Sequence, residues 1–337
     1  MSKVIICIHG LGNKPRKRLL KRWWKRAIIE GLATHNYNTY LPKFEFVYWT
    51  DVIHDKPQTV SEKDKKSPRF LREPYVKATG NFKIEDNTTQ KRIIDFFNKQ
   101  ISRILLNKDL TLNYSFLSDV IVKNFFKDLE IYYKVDCTDE NKHLCKAKDI
   151  IKNRLLKLLH KYKDDQIMLI SHSMGSIIAF DVLSSQDFNI PIHTFVTAGS
   201  PLGFPVVMSK IAAEQKQKLP TETTMLTPPT ILKNWYNFSD ILDRVALNYK
   251  LSDSFLPNKN GVLPVDYLVV NNFEINSNRN PHKSYGYLRT PEFSKVLVDF
   301  IQTDKFTLKQ KVVGKINQTV NAIVYKINHA KVQRRKD

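Results

Sequence analysis

The sequence predicts an α/β protein built on a mostly parallel sheet with helices on both faces. Three observations predict it. Short runs dominated by Val and Ile alternate with longer segments of helical periodicity, the pattern of strands joined by helical crossovers. Those runs lack polar–apolar alternation, so they read as strands buried on both faces. A small-x-Ser-x-Gly string also falls directly between one such strand and one such helix.

Lys3 to Ile8 is the first buried-strand pattern, and it ends in the turn-rich string His9-Gly10-Leu11-Gly12-Asn13-Lys14-Pro15. A helix follows to about Ala33, because Leu19, Leu20, Trp23, Trp24, Ala27 and Ile28 recur on one helical face. Phe44 to Trp49 reads as the second strand. Residues 51–144 then break the rhythm. The first part of this insertion, through Asn87, is polar and punctuated by Pro57, Pro68 and Pro74. Its second part carries helical apolar patterns around Ile93–Leu106 and Phe116–Tyr133. An insertion of this size over a sheet is expected to form a helical lid or cap. Alternation resumes with a helix over Ala147–Tyr162, a strand over Gln166–Ile170, a helix over Gly175–Leu183 and a strand over Ile192–Thr197. Asn234–Phe238 and Val265–Val270 read as two further strands, and Pro291–Ile301 as a helix. The organisation is therefore one α/β domain over 1–302 with the 51–144 insertion, followed by a basic tail over 303–337.

With 337 residues, 42% of them apolar and 11% aromatic, the chain has enough material for a sizeable core and is not a disordered protein. Three cysteines (Cys7, Cys137, Cys145) cannot staple a chain this long, which fits a reducing compartment. No uncharged apolar run reaches the roughly 18 residues of a membrane span. The apolar start is too short for a signal peptide and lacks a small-residue cleavage site. These features predict a cytoplasmic protein.

The net charge of +21 is concentrated. Lys14, Arg16, Lys17, Arg18, Lys21, Arg22, Lys25 and Arg26 contribute +8 without an intervening acid, and residues 303–337 contribute +7. The tail is also helix-periodic, through Val312, Ile316, Val320, Ile323 and Ile327. A basic amphipathic helix can lie on an anionic membrane, at about 1 kcal/mol per cation near the surface. Alternatively its apolar face packs on the body and its lysines are solvated. The second reading is preferred for residues 14–33, and both stay open for the tail. Peripheral contact at the inner membrane surface is thus one expectation. No recognition motif accompanies the charge, so nucleic acid is not an expected partner.

The chemistry centres on Ile170-Ser171-His172-Ser173-Met174-Gly175. A tight strand-to-helix turn here would lift the Ser173 hydroxyl above the sheet, and small residues are needed two positions either side because the backbones crowd. Gly175 meets this need, whereas Ser171 stands where glycine is more usual. A serine needs a base, and the base an acid to orient it. Downstream of Ser173 the histidines are His193, His282 and His329. His193 is at the edge of a buried strand and His329 in the basic tail, leaving His282 in the loop Asn280-Pro281-His282-Lys283-Ser284 after the last strand. For the acid, Asp240 and Asp243 compete in Ser239-Asp240-Ile241-Leu242-Asp243-Arg244-Val245. Asp243, followed by Arg-Val, is favoured, while Asp240 could cap the turn through its own side chain. An oxyanion site needs two backbone N–H donors. Met174 after the serine is one, and Leu11, after the close-approach Gly10, is placed for the other.

These stretches, with V-Y-W-T-D, T-A-G-S-P-L-G and N-P-H-K-S-Y-G-Y-L-R-T-P-E, make the chain resemble the α/β-hydrolase superfamily, serine lipase/esterase type, and within it a group of bacterial lipase-like proteins. The resemblance covers most of the chain except the 51–144 insertion and the tail. It implies an α/β-hydrolase fold, a Ser173–Asp243–His282 triad and ester-like substrates. Lipid esters are favoured over small soluble ones by the apolar helices of the insertion and by the basic segments. No cofactor is implied. Cys137, His143 and Cys145 lack zinc spacing, and Gly-Leu-Gly-Asn-Lys-Pro lacks that of a phosphate loop. The rival expectation is a non-catalytic protein that keeps the fold and binds anionic membrane or nucleic acid through its basic segments.

Overall fold

In the computed structural model six strands form the central sheet: β1 (Lys3–Ile8), β2 (Lys43–Val47), β3 (Gln166–His172), β4 (Ile192–Ala198), β5 (Ile231–Ser239) and β6 (Pro264–Leu268). The structure describes residues 2–78, 130, 132–133, 136–138, 144–185, 187–204, 207–208, 225–246 and 249–303. The sheet order is β2-β1-β3-β4-β5-β6, and every neighbouring pair is parallel. Helices that flank it among the described residues are α1 (Lys17–Thr34), α2 (Ala147–Lys161), α3 (Met174–Leu183), the short α4 (Ser284–Tyr287) and α5 (Pro291–Gln302). This is the mostly parallel, helix-covered α/β sheet that the alternating pattern predicts.

The continuous apolar runs are explained by two cores, one on each face. In β1 the side chains alternate across the sheet. Val4, Ile6 and Ile8 join one cluster with Ile151, Leu155 and Leu159 of α2 and Ile177 and Phe180 of α3. Ile5 and Cys7 join the other with Trp24 and Ile28 of α1 and Leu297 and Phe300 of α5. The inner strands β1, β3 and β4, six or seven residues long, are therefore buried along nearly their whole length, whereas α1 and α2 bury one apolar stripe each. Helix α5 begins at Pro291, whose fixed φ suits the first helical position, and Thr290 caps it by accepting the Phe293 N–H at 3.3 Å.

The order of the strands decides where a site can form. From β1 the chain crosses through α1 to β2 on one side. From β3 it crosses through α3 to β4 on the other. The carboxyl ends of β1 and β3 thus bound a crevice where the winding reverses, the position at which open parallel sheets bind ligands. The element boundaries sharpen the reading there. β3 extends to His172 and α3 starts at Met174, so a single residue, Ser173, makes the turn.

The helix predicted at the basic segment is present, with Leu20, Trp23, Trp24, Ala27 and Ile28 buried. Its apolar face is spent on the core, so this helix cannot also insert that face into lipid. Arg16, Lys17, Arg18, Arg22, Lys25 and Arg26 remain exposed. The expected insertion helix over 93–106 lies outside the described residues, as does nearly all of that over 116–133. Of the latter, Tyr132 is helical and buried, donating to Asp181 Oδ2 at 3.1 Å. The tail beyond Thr303 also lies outside them. No helix among the described residues is long and apolar enough to cross a membrane.

α1 meets α4 and α5 at Gly31, where an added Cβ would stand 2.6 Å from Arg289 Cα and 2.9 Å from Ser294 Oγ. Because one neighbour is backbone, the crowding cannot be relieved by a rotamer change. Gly31→Ala should therefore lower stability in urea by about 1–3 kcal/mol, even though alanine gains about 1 kcal/mol in helix propensity. A stabilised variant would show that α1 is not clamped at this point.

Candidate active site

The chain turns at Ser173 with φ 55° and ψ −131°, a left-handed value that a residue with a Cβ rarely adopts. Such a conformation stores roughly 1–3 kcal/mol and persists where the surroundings enforce it. They do so here through two glycines. A Cβ on Gly10 would lie 2.5 Å from Ser173 Cβ, and one on Gly175 would lie 2.7 Å from the Ile8 carbonyl oxygen. The loop after β1 and the turn after β3 are therefore in backbone contact. Ser171, where glycine is more usual, is accommodated because its buried hydroxyl donates to the Val196 carbonyl of β4 at 2.8 Å.

The three residues singled out from the sequence meet. His282 Nε2 lies 2.9 Å from Ser173 Oγ. His282 Nδ1 faces the carboxylate of Asp243 at 2.9 Å to Oδ2 and 3.0 Å to Oδ1. With Nδ1–H donating to the carboxylate, Nε2 of the neutral ring holds a lone pair toward the serine hydroxyl. Asp243 is fully buried and multiply bonded. Tyr287 O–H donates to Oδ2 at 2.6 Å, and the Val245 N–H donates to Oδ1 at 2.9 Å. Burial and the Asp243 charge push the Tyr287 phenol well above its ordinary value, so it stays a donor.

Asp240 has a different job. Its Oδ1 accepts the Leu242 N–H at 2.8 Å, closing the turn as a capping aspartate does. Its Oδ2 accepts the Asn271 N–H at 2.6 Å and pairs with Arg279. The choice left open by the sequence is thus resolved geometrically: Asp243 faces His282. His193 is at the opposite, amino end of β4, with Nδ1 2.8 Å from Thr194 Oγ1. His329 lies outside the described residues.

Sequence reasoning missed three contributors. Gly199, at φ +54°, is where an added Cβ would stand 2.9 Å from Asp243 Oδ2 and 3.2 Å from His282 Nδ1, so the pair packs against bare backbone. His172 Nε2 lies 2.7 Å from the His282 carbonyl, which can only accept, so this nitrogen carries the proton and steadies the loop. Burial, with help from His282 and the nearby Lys14 and Lys283, pushes His172 well below its ordinary value. His9 stacks on Trp49 at 5.0 Å. Its Nδ1–H donates to the Gly10 carbonyl at 2.7 Å, and Nε2 accepts the Trp49 N–H at 3.2 Å. Gly-Ser-Pro after a strand and paired histidines flanking glycines were the only signals available, and neither carries a contact by itself.

Leu11 lines the cavity in the loop after β1, and Met174 directly follows Ser173. Met174 opens α3, where first-turn N–H groups have no intrahelical acceptor. The peptide linking Gly10 to Leu11 is trans, so with its carbonyl held by His9 the Leu11 N–H points the other way. A cavity of about 460 Å³ opens beside Ser173 and is lined by the loop after β1, by Leu71–Glu73 and by Asn280–Tyr285. The segment over it is tied down at both ends. Asn13 Nδ2 donates to the Lys56 and Pro68 carbonyls, and Glu73 accepts from Asn280 Nδ2 at 2.7 Å and Lys283 Nζ at 2.8 Å. Among the described residues there is no cluster of three metal-ligating side chains.

No protein-family model and no curated protein matches this chain.

The buried neutral histidines give the fold a pH signature. Burial, assisted by Lys14, pushes His9 down to about 3, whereas in the unfolded chain it titrates near 6.5. Between those values the unfolded state binds the extra proton, so stability rises with pH across that window and is fully present above it. Urea midpoints should therefore fall as pH is lowered from about 6.5, and His9→Gln should flatten the decline. An unchanged slope in that variant would place the loss elsewhere.

Proposed function

We propose that this chain is a serine hydrolase of the α/β-hydrolase type, cleaving a carboxylic ester through an acyl-enzyme intermediate. The observation that carries the proposal is the hydrogen-bonded series Ser173–His282–Asp243 at the crevice where the sheet reverses its winding. The left-handed Ser173 turn between strand and helix, and the chain order Ser, Asp, His, agree with that superfamily's site.

In this reading Ser173 Oγ attacks the ester carbonyl carbon while its proton passes to His282 Nε2. The electron pair of the carbonyl moves to oxygen, and the Leu11 and Met174 N–H groups hold the oxyanion. Collapse expels the alcohol, which takes the proton from His282 and leaves acyl-Ser173. Water, deprotonated by His282, then attacks the acyl group, and the carboxylic acid leaves as Ser173 regains its proton. Asp243 keeps His282 in the Nδ1–H tautomer and stabilises the imidazolium that forms; Tyr287 and Val245 hold Asp243. The 51–144 insertion is read as the lid, because Gln58 and Leu71–Glu73 from its described part line the cavity. Apolar lining from Leu20, Trp24, Leu71 and Tyr285 suits an acyl chain, which favours lipid esters.

Labelling with a fluorophosphonate tests the nucleophile directly. The wild type should be labelled and should hydrolyse para-nitrophenyl esters. Ser173→Ala should be unlabelled and, with a native circular dichroism spectrum, should lose about 10⁴-fold or more in kcat. A folded wild type that resists labelling even with lipid vesicles would favour the non-catalytic binding protein instead.

The two aspartates should separate in kinetics. Asp243→Asn should reduce kcat by about 10⁴-fold, since an amide favours the wrong histidine tautomer. Asp240→Asn should chiefly reduce stability, because it weakens the buried contact to Arg279. Equal losses of kcat would reassign the acid.

A further inference from the structure

The cavity beside Ser173 is electrostatically lopsided. Among the described residues, three cationic side chains, Lys14, Arg72 and Lys283, line it against one carboxylate, Glu73, and the buried histidines His9 and His172 are held neutral by desolvation. Glu73 also demonstrates what this spot accommodates. Burial alone would raise its carboxyl, yet Lys283, the Asn280 amide and Lys14 together hold it below the ordinary range. The cavity wall thus already stabilises one carboxylate, and among the described lining residues cations outnumber carboxylates. The exposed cations Arg16, Lys17, Arg18, Arg22, Lys25 and Arg26, at the start of α1 and within it, extend the same positive field from Lys14 along the surface.

Resting on the serine-hydrolase reading above, we propose that the substrate is an ester bearing an anionic group close to the scissile bond, and that Lys14, Lys283 and Arg72 receive that group. The apolar wall formed by Leu20, Trp24, Leu71 and Tyr285 takes the uncharged part. In this arrangement Lys283, next to His282 in the chain, is a specificity residue: it bridges Glu73 and the incoming anion without touching the reacting atoms. A carboxylate on a soluble acid and a phosphate in a lipid headgroup present the same chemistry to these cations.

Two para-nitrophenyl esters matched in chain length, the hexanoate and the hemiadipate, separate charge from size, with Ser173→Ala as the blank. The hemiadipate should be preferred roughly tenfold in kcat/KM at low salt, mostly through KM, the size of one charge-assisted hydrogen bond. High salt and Lys14→Gln/Lys283→Gln should each shrink the ratio of the two rates. Fatty-acid release from phosphatidylglycerol against phosphatidylcholine vesicles forms the second arm. A preference for the former assigns the anion to a lipid headgroup, and a preference confined to the hemiadipate assigns it to a soluble acid. Equal turnover of charged and neutral substrates in both arms, or ratios unchanged in the double variant, would overturn the anion subsite while leaving the hydrolase standing. Turnover of none of them above the blank, without fluorophosphonate labelling, would overturn both.

Discussion

Between the carboxyl ends of β1 and β3 the backbones approach more closely than side chains would permit, and the site hangs from that approach. Gly10 faces Ser173 and Gly175 faces the Ile8 and His9 carbonyls, each at separations a Cβ would violate. The contact holds Ser173 in a left-handed conformation that would otherwise relax. It also fixes the loop after β1 relative to the first turn of α3. The positions of Leu11 and Met174 relative to each other are thus set by one steric constraint, and the register of β1 on β3, Lys3 opposite Gln166 through Ile8 opposite Ser171, delivers it. A one-residue slip of that register would reverse every side chain of β1 between the two cores, so the packing of the sheet enforces the geometry of the turn.

Around this contact the structure keeps charge under strict control. Asp243 is the buried carboxylate that faces His282, and its burial is tolerable because Tyr287, Val245 and His282 satisfy it. The second buried aspartate, Asp240, is raised above its ordinary value by burial despite its N–H donors and Arg279. Three histidines crowd the same region, yet two are fixed neutral and spend their N–H groups on backbone carbonyls: Gly10 for His9, His282 for His172. Only His282 points a ring nitrogen at a hydroxyl. The division of labour follows from burial, since a desolvated imidazole without an anionic partner stays uncharged.

How much of this was legible in the sequence depends on the range of the interactions. The strands and helices of the sheet were, because a strand apolar on both faces and a helix with one stripe are local patterns. Ser173 and His282 were, because strand–turn–helix context and chain order are local too. Asp243 was favoured over Asp240 on its Arg-Val neighbours alone, since both lie after β5 and the contacts that separate them, to Asn271, Arg279 and Tyr287, are remote in sequence. Gly199 was invisible for the same reason. The segment over 56–73 shows the limit most clearly. Its composition reads as featureless loop, but it is held by Asn13, Lys14, Asn280 and Lys283, all remote in sequence.

The distribution of positive charge takes its meaning from the same packing. A helix with Trp23 and Trp24 on one face and cations on the other is compatible, by itself, with either a membrane-lying element or a face packed on the body. In the fold the tryptophans are buried and Trp24 lines the cavity, leaving the cations as a field without an apolar anchor. A field of this kind cannot hold a protein on neutral lipid, but it concentrates anions near its own mouth. Since Lys14 belongs both to that run and to the cavity wall, the surface field and the pocket are continuous. The basic residues of this first helix therefore act as a surface field and not as a lipid anchor.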